Sequence, residues 1–78
     1  MNINMYKWLV FRRADGSGHI SDLSEESIRQ RCLFYNCEED EIQEIIKFAE
    51  TATLDDVYHM KQDKGTTVFR FNLNDRRD

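Results

Sequence analysis

The chain has 78 residues, with 11 Lys and Arg against 15 Asp and Glu, two Cys, two His, three Gly and no Pro. Such a length has room for one small domain, which buries only about 60% of the surface its unfolded chain exposes. A second domain, a repeat array or a catalytic cleft of cofactor size is therefore not expected.

With 33% charged and 40% apolar residues the composition is that of a folded, soluble domain. The longest apolar run, Trp8 to Phe11, falls far short of the ~20 residues of a membrane span. Two cysteines cannot build a disulfide scaffold, so a reducing, cytoplasmic setting is expected. The net charge of −4 is unevenly spread, because residues 38–56 hold eight acids and a single base, Lys47. The flanking segments, 1–37 and 57–78, are both slightly basic. This segregation bears on the choice of partner more than the total does.

Residues 5–12 are rich in aromatic and β-branched types and predict a strand. The stretch from Arg13 to Gly18 is the most turn-prone, with Gly16 and Gly18 free to adopt positive φ. A short second strand at His19–Ser21 follows. Ser21, Asp22 or Ser24 can cap the first helix, and Asp22 with Glu25 has the outline of a capping box. Ile28, Cys32 and Tyr35 then form one helical stripe, and Glu25 with Arg29 is an i,i+4 pair. Asn36 suits a left-handed helix end or the cap of the next helix.

The second helix is expected at about residues 38–51, from Ile42, Ile45, Ile46 and Ala49 on one face, widened by Phe48 and Ala52. Four acids open it, where the helix dipole favours negative charge. Period-two patterning at Val57–Gln62 and Thr66–Leu73, around the turn Asp63-Lys64-Gly65, predicts a β-hairpin. The aromatic set Phe69, Phe71 and Leu73 is expected to face the helices. Residues 74–78 are polar and expected to fray. The order strand, two helices, hairpin predicts a two-layer α+β domain over residues 1–73, with the helices on one face of an antiparallel sheet.

Several motifs invite a chemical function and fail on their own residues. Asp15-Gly16-Ser17-Gly18-His19-Ile20 resembles the middle of an EF-hand loop, but that alignment puts Arg13 at the first ligand position and Ser24 at the bidentate glutamate position. The same turn sets Ser17, His19 and Asp15 side by side without the separate, rigid elements that a catalytic triad needs. Cys32, Cys37, His19 and His59 match no familiar zinc spacing, and Cys32 belongs to an apolar helix stripe. A helix pair before a hairpin resembles a winged helix-turn-helix. Its second helix would offer Glu38, Glu39, Asp40 and Glu41 to the phosphates, which argues against duplex DNA. Lys64 to Phe71 resembles the RNA-binding strand of RRM domains in its Lys-Gly start and final Phe, with Thr66 and Val68 where aromatics stand in that motif.

Two features carry the functional expectation. The first is the acidic block at 38–56, either a solvated helix face or a surface for a basic partner. The second is the first strand, whose two faces are both apolar: Met5, Leu9 and Phe11 alternate with Tyr6, Trp8 and Val10. One layer of helices covers one of these sets, and the other needs a loop, a second copy or a partner. Val68 and Arg70 are expected to join Tyr6, Trp8 and Val10 on that outer face.

The chain is therefore expected to be a small non-enzymatic regulator, inhibitor or accessory protein, of the kind carried by phages and plasmids. It would need no cofactor or metal and would bind a protein or a second copy of itself. The contacts would come from Tyr6, Trp8, Val10 and Arg70 together with Glu38, Glu39, Asp40 and Glu41. The alternative is a single-stranded RNA or DNA binder using sheet aromatics with Arg12, Arg13, Arg70, Arg76 and Arg77.

Overall fold

A computed structural model describes residues 6–73, and the side chains of residues 7–72. Met5, the side chains of Tyr6 and Leu73, and the 74–78 tail lie outside the described residues. Strand β1 (Tyr6–Arg12) runs into β2 (Gly18–Ser21), helices α1 (Glu25–Phe34) and α2 (Glu39–Thr51) follow, and β3 (Val57–His59) and β4 (Thr67–Leu73) close the described chain. The strands form one four-stranded antiparallel sheet in the order β2-β1-β4-β3. Among the described residues no helix is long and apolar enough to cross a membrane.

The turn between β1 and β2 uses Gly16 at φ 93°, while the Asp15 carboxylate accepts from the Ser17 amide at 3.0 Å and hydroxyl at 2.7 Å. Gly18 has another role from the one its composition suggests. It lies in β2 opposite Arg12, and a Cβ there would run into the Phe11 carbonyl. Backbone, not a flexible side chain, blocks that space, so Gly18→Ala must shift the strand pair. A loss of about 1–3 kcal/mol is expected in chemical denaturation. An unchanged midpoint would contradict this packing.

Ser24 caps α1, its hydroxyl accepting from the Ser27 amide at 3.2 Å. Asp22 serves one step earlier and accepts from the Ser24 amide and hydroxyl, so the capping-box outline with Glu25 is not used. At the other end Asn36 takes φ 63°, and the Cys37 and Asn36 amides donate to Cys32 and Leu33 carbonyls at 3.0 Å each. This is a Schellman closure, whose usual apolar contact falls here on Cys32 and Cys37. Both thiols are free and buried. Desolvation pushes Cys32 up to about 11 and Cys37 up to about 12. Both are then protonated at neutral pH and poor nucleophiles. Iodoacetamide at pH 8 is expected to leave the native chain unmodified by mass spectrometry and to label both thiols in urea; rapid labelling of the native protein would contradict the assignment.

The helices cover a single sheet face. Leu9, Phe11 and Val68 meet Ile28, Cys32 and Tyr35 from the α1 end and Ile42, Ile45, Ile46 and Ala49 from α2. Tyr35 stacks on Phe11 with centroids 5.7 Å apart and nearly parallel rings.

The parity of β4 is the reverse of the expected one. Val68 is fully buried beneath the helices, whereas Phe69 stands opposite Val10 and Phe71 opposite Trp8, on the other face. Arg70 accordingly points inward, donating to the carbonyls of Ala49 and Ala52 at 3.0 and 3.1 Å. Helix α2 has no basic residue in its last turn, and Arg70 supplies the cation from the neighbouring sheet. Bulk suggests the aromatics as core; hairpin register and this helix-end contact decide otherwise.

Candidate functional site

The face of the sheet away from the helices follows from the register. Ile20, Val10, Phe69 and Val57 align as one row across all four strands, and Trp8 and Phe71 form a second row on the two central strands. Among the described residues no helix lies across these rows, although Trp8 and Ile20 border Ser27, Gln30 and Arg31 of α1 at the β2 edge. Ile20 is 57% exposed, Val57 50% and Phe71 44%, while Trp8, Val10 and Phe69 are half-buried by one another. An open groove of roughly 600 Å³ runs along the β2 side, lined by Val10, Arg12, Gly18, Ile20 and Phe69.

The strands themselves contribute only basic charge, while Asp22 and Arg31 border Trp8 and Ile20 where β2 ends. None of the residues in the four strands is acidic, and Arg12 adjoins the apolar rows, exposed and without an ion-pair partner among the described residues. The acids gather on the helices and connecting segments instead.

The structure divides the acidic block. Glu38, Glu39 and Asp40 are exposed. Glu39 takes both nitrogens of the Arg29 guanidinium, at 2.6 and 3.1 Å, and the Gln43 amide at 2.7 Å. These hydrogen bonds, Arg29 first, hold its carboxyl down at about 2. Glu41 does not belong to the surface: it is 3% exposed. Its carboxylate accepts from the Lys61 and Gln62 amides at 2.6 and 3.1 Å and lies 2.9 Å from the Tyr58 hydroxyl. It pins the loop between β3 and β4 onto α2. Burial, then its hydrogen bonds to Glu41 and Glu44, push the Tyr58 phenol well above its ordinary range.

A second aromatic group sits beside the β1–β2 turn, and its His19 also lines the groove. The Arg13 guanidinium lies over the rings of Phe34 and Tyr35, 5.5 and 5.0 Å from their centroids, and its Nε is 3.6 Å from Asp63. The Tyr35 hydroxyl is 2.8 Å from His19 Nδ1. These contacts join the β1–β2 turn, the end of α1 and the β3–β4 loop, so Arg13 and His19 are engaged within the fold. Ser17 bonds Asp15 rather than His19, so the triad-like trio is not assembled as one site.

Of the expected contact residues, Trp8 and Val10 are on the open face and Glu38, Glu39 and Asp40 on the helix surface, while Arg70 and Glu41 are committed inside the fold. The side chain of Tyr6 lies outside the described residues. Sequence reasoning missed Phe69, Phe71, Ile20 and Val57 as members of the face. The available signal was α2 ending without a cation, which calls Arg70 inward and turns its strand neighbours outward. No protein-family model, curated protein or solved structure matches the chain.

Proposed function

We propose that this chain is a non-enzymatic binding module, a small regulator, inhibitor or accessory subunit that docks a protein on the open face of its sheet. The observation that carries the reading is the unbroken apolar row Ile20–Val10–Phe69–Val57 with Trp8 and Phe71 beside it. A tryptophan with its polar N–H, set among phenylalanines and aliphatics and next to an Arg, has the chemistry of a protein-interface centre.

Single-stranded nucleic acid fits this face less well. In the segment resembling an RNA-binding strand, Thr66 and Val68 hold the aromatic positions, and both are buried, at 2% and 0% exposure. Of the arginines that reading needs, Arg70 is bound to helix carbonyls and Arg13 to two rings and Asp63. Arg76 and Arg77 lie outside the described residues. Three of the six side chains forming the face are aliphatic and offer no base a ring to stack on.

Capture of binding partners by the immobilised chain, with and without nuclease, tests the reading. Retention is expected to survive nuclease, to vary little with salt and to be lost with Trp8→Ala, whose circular dichroism stays that of the parent. Retention abolished by nuclease, or unaffected by a folded Trp8→Ala, would overturn it.

A further inference from the structure

The chain has two cysteines, and the fold brings both to one place. Cys32 stands in the last turn of α1, and Cys37 lies two residues before the start of α2. The backbone joins them directly: with Asn36 at φ 63°, the Cys37 amide donates to the Cys32 carbonyl at 3.0 Å. Standard bond lengths then hold their Cα atoms about 5–6 Å apart, a span that a disulfide bridges. The Schellman closure also turns the side chains of these two positions toward each other. Neither thiol is on the surface, with Cys32 0% and Cys37 6% exposed.

Cys37 has a second attachment. It immediately precedes Glu38, the cap of α2, and is buried with Ile42 in the first turns of that helix, the arrangement of a hydrophobic staple. The pair therefore sits at the joint between the helices. The joint is also closed from outside, where the Arg29 guanidinium of α1 meets the Glu39 carboxylate of α2 at 2.6 and 3.1 Å. Packing alone needs only two small apolar side chains at these positions. Two thiols at a disulfide's separation add a reaction.

We infer that Cys32 and Cys37 form a redox-convertible dithiol, closed by a low-molecular-weight disulfide such as oxidised glutathione, and that closure locks α1 to α2. The exchange balances in two steps. The Cys37 thiol, the less buried of the two, loses its proton to water, attacks one sulfur of the oxidant and expels the first glutathione thiolate. The Cys32 thiol then loses its proton, attacks the Cys37 sulfur of that mixed disulfide and expels the second thiolate. Two electrons pass to the oxidant, and both released thiolates take up protons. Because the closed fold covers both thiols, the first attack waits for the joint to open. The Arg29–Glu39 pair governs how often it does.

The test is intact-mass analysis of the folded chain held overnight with oxidised glutathione at pH 8. The product is expected to be lighter by two hydrogens, monomeric and free of glutathione. Chymotrypsin cuts at Phe34 and Tyr35, between the cysteines, and is expected to leave the fragments joined until a reductant is added. The oxidised chain is expected to melt about 5–10 °C above the reduced one. Cys32→Ala is expected to stop at a single glutathione on Cys37, and Arg29→Gln to close roughly threefold faster than the parent. A parent chain that stays reduced, that ends as glutathione adducts or dimers, or that melts lower once closed overturns the inference. So does a closure rate indifferent to Arg29→Gln.

Discussion

Phe11→Ala is expected to lower the unfolding free energy by about 3–5 kcal/mol, against about 1 kcal/mol for Phe69→Ala, in urea titrations of the two variants. The two phenylalanines stand on neighbouring strands, but Phe11 is fully buried between Tyr35 and the helix stripes, whereas Phe69 is only half-buried beside Val10 and Val57 on the open face. Removing Phe11 leaves a cavity that a closed core cannot fill. Removing Phe69 widens a surface that water already reaches. A 78-residue domain has about 4–12 kcal/mol of stability, so Phe11→Ala approaches unfolding while Phe69→Ala does not. Reversed magnitudes would mean that the helices lie on the other face of β4.

Glu41→Ala has the second large effect, a loss of about 3–5 kcal/mol, because it removes a buried carboxylate that accepts charge-assisted hydrogen bonds from two backbone amides. The Lys61 and Gln62 amides bond its two oxygens, and the Tyr58 hydroxyl shares one of them. The loop between β3 and β4 has few ladder bonds of its own in this stretch, so the side chain replaces them. Glu41→Gln keeps the shape and one acceptor and is expected to cost about half as much. Amide exchange separates this from a general weakening: protection at Lys61 and Gln62 disappears first, while β1 and β4 stay protected. Uniform loss of protection would contradict a local role.

The elements and their order were legible because each has a strong local cause. Helix α2 follows from isoleucines at helical spacing, the end of α1 from Asn36, and the hairpin from alternation on either side of Gly65. That β1 has a face which no described helix covers was legible too, since both of its sets are apolar and the described residues form one layer of helices. What sequence could not decide was the parity of β4. Val68 and Phe69 are both apolar, so burial alone does not choose between them, and the choice depends on hairpin register and on a long-range contact of Arg70 with the end of α2. Glu41 escaped for the same reason. Among four consecutive acids nothing local marks the one whose helical phase, next to Ile42 and Ile45, turns it toward the loop.

The account rests on one face of one sheet, and amide hydrogen exchange of the chain with and without its captured partner tests that most directly. Added protection is expected on β1, β2 and β4 around Trp8, Val10, Ile20, Phe69 and Phe71, with α2 unchanged. Protection confined to Glu38, Glu39 and Asp40 at the start of α2, with the sheet unchanged, would contradict it and place the partner on the acidic side.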